Sequence, residues 1–239
     1  MGISKSKSVE PQKPSSTRAL VVCDFDGTVC TVDMGNALLN RFTSSGWDEI
    51  DRAYCAKEIG SLAAYRMLAP ILRGTRQNMV DFSRETMRMD PEFPAFALFC
   101  RQQGIDLKIV SDGLDFYIEI FLQQFRLEGI PYYSNRLSFR EGGSVEIDFP
   151  YSSQCGSCGT CKSGIIRRCR KDYGFVVYVG DGHSDVCPAR EADLVFAKGI
   201  LYDSCRRNGT PCIRYEHFGD VLDILRKTFR SRGGETPCG

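Results

Sequence analysis

Apolar positions recur along this chain in two rhythms. Short apolar runs occur at 18–24, 106–112, 175–179, 194–197 and 212–215, the first three closed by Asp or Gly. Such runs read as strands buried on both faces of a parallel sheet. Between them the apolar residues fall at helical spacing. Leu38, Leu39 and Phe42, then Leu62, Tyr65, Leu68 and Leu72, mark helices over 33–89, punctuated by Gly46, Gly60, Pro70 and Gly74. Asp90-Pro91-Glu92 starts a further helix, with Pro91 in its first turn. Phe116, Ile120, Leu122 and Phe125 mark the next, and Lys162 opens another that reaches about Tyr173. Stretches 132–135, 136–140 and 145–149 read as short strands, with Gly142-Gly143 as a hairpin turn. Phe218, Val221, Leu222, Leu225 and Phe229 form one stripe on a last helix. Strands alternating with helices give an α/β fold, a doubly wound parallel sheet, with a helical insert after the first strand. The expected organisation is a tail at 1–17, a core at 18–32 and 90–230, the insert at 33–89 and a flexible tail at 231–239.

Composition narrows the class. The chain has 239 residues, 42% apolar and 26% charged, with a formal net charge of +1. That balance gives no electrostatic case for a nucleic-acid partner. No apolar run approaches the ~20 residues of a membrane span. Residues 1–17, rich in Ser, Lys and Pro, are expected to be disordered. Met1-Gly2-Ile3-Ser4-Lys5-Ser6 fits the pattern for myristoylation of Gly2, although a solvated tail is the plainer reading. The twelve cysteines, in a chain with no secretory leader pattern, are read as free thiols in a reducing cytoplasm. Nothing in the pattern fixes an oligomeric state.

The chemistry gathers at strand ends. The first strand closes in Asp24-Phe25-Asp26-Gly27-Thr28, two carboxylates one residue apart. Ligands of open α/β sheets bind beyond such ends. Two like charges so close call for a cation, and hard oxygen ligands suit Mg²⁺. The second strand ends in Ser111-Asp112-Gly113, the third in Gly180-Asp181-Gly182-His183-Ser184-Asp185, and Lys162 stands at a loop-to-helix junction. Four carboxylates, an ammonium and a hydroxyl at one site are the equipment for hydrolysing a phosphate ester through a covalent intermediate. Ser111 and the amides of Asp112 and Gly113 are placed to bind phosphate oxygens.

These four segments, in this order, resemble the motifs of the haloacid-dehalogenase superfamily of phosphatases over about residues 18–225. The resemblance implies that Asp24 is the nucleophile and forms an aspartyl-phosphate, and that Asp26 is the general acid and base. It implies Mg²⁺ held by Asp24, the backbone carbonyl of Asp26 and Asp181, with Asp185 a ligand or a supporting group. Thr28 and Ser111 would position the phosphoryl group, and Lys162 would neutralise it. The insert after the first motif is similar to the C1 cap of phosphoserine phosphatases. Cys-Gly-Ser-Cys-Gly-Thr-Cys-Lys and Gly-Asp-Gly-His-Ser-Asp-Val-Cys-Pro-Ala-Arg resemble two related groups. These are the MtnX-like methionine-salvage enolphosphate phosphatases and the phosphoethanolamine/phosphocholine phosphatases. The second group commonly has Glu where this chain has Gly27, which favours the first. The expected substrate is a small phosphorylated metabolite.

Several features stay open at this level. Cys155, Cys158 and Cys161, with Cys169, could bind zinc or an iron–sulfur centre, or the loop could simply need small residues. Asp33, Tyr65, Arg66 and Arg73 are candidates for reading the far end of the substrate, Arg66 foremost as a bidentate partner for an anion. A non-catalytic phospho-ligand or metal-binding regulator on the same fold, and transfer of the phosphoryl group to an alcohol, are the competing functions.

Overall fold

In the computed structural model, which describes residues 18–153 and 156–230, the apolar runs become one seven-stranded sheet. In chain order the strands are β1 (Ala19–Cys23), β2 (Asp106–Leu114), β3 (Tyr132–Phe139), β4 (Val145–Asp148), β5 (Phe175–Gly180), β6 (Leu194–Ala197) and β7 (Ile213–Arg214). Across the sheet they lie in the order β4-β3-β2-β1-β5-β6-β7. All neighbours are parallel except β3 and β4, whose antiparallel edge is turned by Gly142 and Gly143 at φ 70° and 75°. The helices are α1 (Met34–Phe42), α2 (Trp47–Cys55), α3 (Ser61–Leu68), α4 (Arg76–Thr86), α5 (Phe93–Gln102), α6 (Asp115–Gln124), α7 (Lys162–Cys169), α8 (Val186–Ala189), α9 (Gly199–Asn208) and α10 (Phe218–Arg230).

The strand β1 is central and buried at every position. Its residues alternate between two cores, as the two-residue period of a strand requires. Ala19, Val21 and Cys23 pack with Phe93, Phe96 and Phe218 on one face. Leu20 and Val22 pack with Ile165, Ile166 and Leu201 on the other. Cys23 lies level with Ile109 of β2 and Val179 of β5, so three carboxyl ends open at one level. Between Val110 and Leu114 the β2 register shifts, and Ser111, Asp112 and Gly113 occupy this irregularity. A bulge of this kind re-aims side chains.

The insert between β1 and β2 holds four helices over residues 34–86. Its members divide their packing. Ile50, Ala64 and Leu68 form a small core of their own. Met34 and Leu38 of α1, and Met79 and Val80 of α4, belong to the main core.

Some boundaries differ from the sequence reading. The helix expected at Asp90 begins at Phe93, with Pro94 rather than Pro91 in its first turn. Asp90 is held back because its carboxylate accepts from the amides of Glu92 and Phe218. The two strands expected at 132–140 are one, β3. The helix opened by Lys162 ends at Cys169, where a turn bonds Asp172 N–H to the Cys169 carbonyl. The tails at 1–17 and 231–239, with Gly2 and its acylation pattern, lie outside the described residues, as does Cys155.

Candidate active site

The end of β1 delivers Asp24 and Asp26 to one cleft, and each is fixed by a different partner set. Asp24 is buried, with its own N–H donating to the Val179 carbonyl of β5 at 2.9 Å. Its Oδ1 accepts from Phe25 N–H at 2.7 Å and lies 2.6 Å from Lys162 Nζ. Asp26 faces the opposite way. Its Oδ1 accepts from Met34 N–H at 2.8 Å and its Oδ2 from the Tyr117 hydroxyl at 2.7 Å.

The turn between the two sequence neighbours Asp26 and Thr28 is possible only because residue 27 is glycine. Gly27 has φ +72°, and a Cβ there would sit 2.3 Å from Asp181 Oδ2. Gly113 is constrained in the same way: a Cβ would lie 1.8 Å from the Tyr117 hydroxyl and 2.7 Å from Asp26 Oδ2.

Lys162 and Asp185 form the buried frame of the site. Lys162 opens α7, is 2% exposed, and reaches Asp185 Oδ1 at 2.7 Å as well as Asp24. Asp185 also accepts from the Tyr178 hydroxyl at 2.6 Å and from the amides of Asp181 and Gly182, each at 2.9 Å. With a longer contact from the Ser184 hydroxyl at 3.5 Å, these donors saturate the roughly four acceptor positions of the carboxylate. Asp181 accepts from the Thr28 hydroxyl at 2.6 Å through Oδ1. Oxygens of Asp24, Asp181 and Asp185 lie within 4.8 Å of one another.

Burial and mutual repulsion set the protonation of this cluster. Burial and the Asp185 charge push Asp24 well above the carboxylate range, against the pull of Lys162. Burial, then Asp185, raise Asp181 to about 6, with the Thr28 hydrogen bond opposing. Burial and Asp33 raise Asp26 to about 7, opposed by the bonds from Tyr117 and Met34. Asp185 is the exception. Burial pushes it up, but the Lys162 charge and the surrounding donors outweigh this and hold it below the usual value. Burial disfavours the Lys162 ammonium, yet Asp185 and Asp24 keep it above the ordinary lysine range. The ammonium sits between the two carboxylates, 2.6 Å from Asp24 and 2.7 Å from Asp185, so one buried positive charge serves both.

A cavity of about 160 Å³ opens over this frame, and Asp24, Asp26, Ser111, Asp112 and Gly113 line its floor. The insert supplies the wall: Leu39, Trp47, Ile50, Ala64 and Leu68 are apolar, while Asp33, Asp51, Tyr54 and Tyr65 are polar. Ser111 is buried, and its Oγ accepts from Gly113 N–H at 2.9 Å.

Three expectations are corrected here. Thr28 is fully buried, lies outside the cavity lining and spends its hydroxyl on Asp181, so it positions a carboxylate rather than a phosphoryl group. Arg66 is exposed and lies over the Phe149 ring, 6.0 Å from its centroid, because its place on α3 turns it away from the cavity. Arg73 bonds the Leu72 carbonyl and is likewise absent from the lining. Asp112 lines the cavity, but its carboxylate is engaged by Thr160 N–H at 2.8 Å and Asn135 Nδ2 at 3.3 Å.

That engagement explains the Cys/Gly-rich loop. Asp112 and Asn135 hold Thr160, while Gly159 N–H donates to Ser61 Oγ and Leu62 N–H to the Ser157 carbonyl. The loop thus joins the core to α3, and its glycines allow the approach, since a Cβ on Gly159 would lie 2.7 Å from Asn135. Among the described residues, the group arranged to hold a metal is the aspartate trio and includes no cysteine. Cys161 instead caps α7, its sulfur accepting from Gly164 N–H.

Sequence reasoning missed Tyr54, Tyr117, Tyr178 and Asn135. Tyr117 follows Gly113 by one helical turn, which is the signal that could have placed it beneath Asp26.

Comparison with known proteins agrees with this geometry. The Put_Phosphatase family model, described as Putative Phosphatase, matches residues 19–199. A 2-hydroxy-3-keto-5-methylthiopentenyl-1-phosphate phosphatase from Brevibacillus brevis is 32% identical over 216 residues, covering 89% of this chain and 97% of that protein. Its counterpart from Geobacillus kaustophilus is 31% identical over 219 residues, covering 88% and 97%. The crystal structure of a phosphoserine phosphatase from T. onnurineus superposes with a TM-score of 0.67 at 18% identity, covering 92% of this chain and 98% of that one, which speaks for the fold. The chain belongs to the Putative Phosphatase family.

Proposed function

We propose that this phosphatase hydrolyses a small phosphate monoester by passing the phosphoryl group through Asp24. The observation that carries the reading is the division of labour between two aspartates one residue apart. Among the described residues Asp24 Oδ2 accepts no hydrogen bond, whereas both oxygens of Asp26 are held by donors. In the first step Asp24 Oδ2 bonds to phosphorus as the ester oxygen leaves, and Asp26 gives that oxygen its proton. In the second, Asp26 takes a proton from water, the water oxygen bonds to phosphorus, and the bond to Asp24 breaks. An acid and base near neutrality suits both duties, and burial raises Asp26 to about 7.

The donor set fits a divalent cation. Four carboxylates face one ammonium, and Asp181 Oδ2 is a hard oxygen with no donor among the described residues. Asp24, Asp181 and the Asp26 carbonyl would hold Mg²⁺, with Asp185 supporting them through Lys162 and the 181–182 amides. Bound there, Mg²⁺ supplies charge neutralisation that lets an anionic ester approach the carboxylates. Lys162 neutralises the same region from below, and the helical insert serves as the lid that excludes water.

For the substrate, the reading is the enolphosphate named by the curated relatives. The apolar wall of Leu39, Trp47, Ile50 and Leu68 suits its methylthio tail. A phosphoethanolamine-like ester is a second reading, favoured by Asp33 and Asp51 on the same wall. Phosphoserine fits less well, because no Arg or Lys lines the cavity to meet its carboxylate. A cytoplasmic setting belongs to the proposal, supported by buried thiols such as Cys23, Cys30 and Cys100 that form no disulfide. The test is phosphate release from the enolphosphate and from phosphoethanolamine, with Mg²⁺ and with excess chelator. Release that requires Mg²⁺ and prefers the enolphosphate is expected. Chelator-resistant release contradicts the metal assignment, and preference for phosphoethanolamine installs the second reading.

A further inference from the structure

The insert carries two tyrosines whose hydroxyls the catalytic frame leaves unused. Tyr54 of α2 and Tyr65 of α3 both line the cavity above Asp24 and Asp26. Among the described residues neither hydroxyl has a hydrogen-bond partner, in contrast to Tyr117 and Tyr178, whose hydroxyls each bind a carboxylate. The rings are nonetheless fixed. Tyr54 meets the His183 ring edge-on at 6.4 Å between centroids, and Tyr65 lies 6.4 Å from the Phe149 ring. Their position is also visible electrostatically. Burial raises both phenols, and Asp112 is the first charge that adds to this in each case, with Asp24 and Asp185 also felt by Tyr54 and Asp26 by Tyr65. Two neutral donors, ordered by packing, thus face the space just above the reacting carboxylates.

A half-buried phenol that finds no protein acceptor gains a partner only from what enters the cavity. Beside a phosphoester held on Asp24, that partner is an oxygen on the carbons adjoining the ester. An anionic partner is disfavoured by the lining: Asp33 and Asp51 repel a carboxylate, and among the described residues no Lys or Arg lines the cavity to receive one. We propose that Tyr54 and Tyr65 are specificity-determining residues that donate hydrogen bonds to carbonyl or hydroxyl oxygens next to the phosphoester. They make the enzyme selective for oxo- and hydroxy-substituted phosphate esters over bare alkyl esters. This deepens the proposed function and rests on it. A site built to hydrogen-bond a substrate oxygen discriminates strongly against the analogue lacking it, because its own donors are left unpaired.

The experiment compares dihydroxyacetone phosphate with n-propyl phosphate on the full chain with Mg²⁺, using p-nitrophenyl phosphate as a general phosphatase control. The wild type is expected to prefer the oxygenated ester by about 100-fold in kcat/KM, for two donors each worth about tenfold. Tyr54→Phe and Tyr65→Phe each reduce that preference about tenfold, with the loss in KM. A wild type without preference, or Phe variants that lose both esters equally and so leave the preference intact, overturns the assignment while the phosphatase reading stands. No turnover of any of the three esters overturns both.

Discussion

Replacing Lys162 with Met removes the one cation that, among the described residues, is buried with the carboxylates of the cavity, while keeping most of the side-chain volume. The ammonium lies 2.6 Å from Asp24 and 2.7 Å from Asp185, and it is 2% exposed. Two unit charges 4 Å apart at an effective dielectric of about 20 attract by about 4 kcal/mol, so both contacts matter. Much of that attraction offsets the cost of burying the ammonium, and removing one partner of a buried pair typically costs about 3–5 kcal/mol. Against a total stability of about 5–15 kcal/mol, the change moves a urea midpoint by about 2 M for a slope near 2 kcal/mol per molar. The deficit depends on pH with a definite sign. In the wild type Asp185 is held below the usual carboxylate value, so its contribution is present at neutral pH and lost as pH falls through the folded value. In the variant Asp185 stays buried without its counter-charge, and its folded pKa rises above the unfolded one. The variant therefore gains stability as acid supplies that proton, and the gap between the two proteins narrows from pH 7.5 to pH 5. Urea titrations of both proteins at the two pH values, without divalent metal, read this directly. A destabilisation below about 1 kcal/mol at pH 7.5, or a gap that does not change with pH, refutes the assignment of Lys162 as the charge that supports Asp185.

Two further substitutions test other contacts. Gly27→Ala forces a side chain onto Asp181 at a left-handed backbone position; Mg²⁺ affinity measured by titration is expected to fall at least about tenfold with kcat, and wild-type affinity would falsify the packing argument. Tyr117→Phe removes a donor that stabilises ionised Asp26, so the pKa rises from about 7. One lost hydrogen bond of about 1.4 kcal/mol moves the alkaline limb of kcat/KM upward by about one pH unit, and an unmoved or lowered limb contradicts the role of Asp26 as the acid.

The sheet and the acidic frame were legible because both are written locally. The unbroken apolar run Ala19–Cys23 is a property of five consecutive residues, and it places Asp24 and Asp26 at a strand end without further information. Contacts that depend on helix rotation were not legible. Arg66 and Tyr65 are neighbours in sequence, yet α3 turns Tyr65 into the cavity and Arg66 out of it. Thr28 was assigned to phosphate because the chain alone does not show Asp181, 153 residues away, arriving 2.6 Å from its hydroxyl. Gly27 illustrates the same limit from the other side. In the sequence it marks a turn; its physical work, to admit the Asp181 carboxylate, depends on a distant residue. The boundary of α5 moved because Asp90 bonds Phe218, a partner 128 residues on.

The account turns on Asp24 as the phosphoryl carrier. The direct measurement is acid quenching during steady-state turnover, reduction of any acyl phosphate with borohydride, and mapping of the modified peptide by mass spectrometry. Modification at Asp24, absent in Asp24→Asn and increased in Asp26→Asn with p-nitrophenyl phosphate, whose leaving group needs no proton so that only the second step is slowed, is the predicted result. Turnover with no modified carboxylate, or with the label on Asp26, contradicts it.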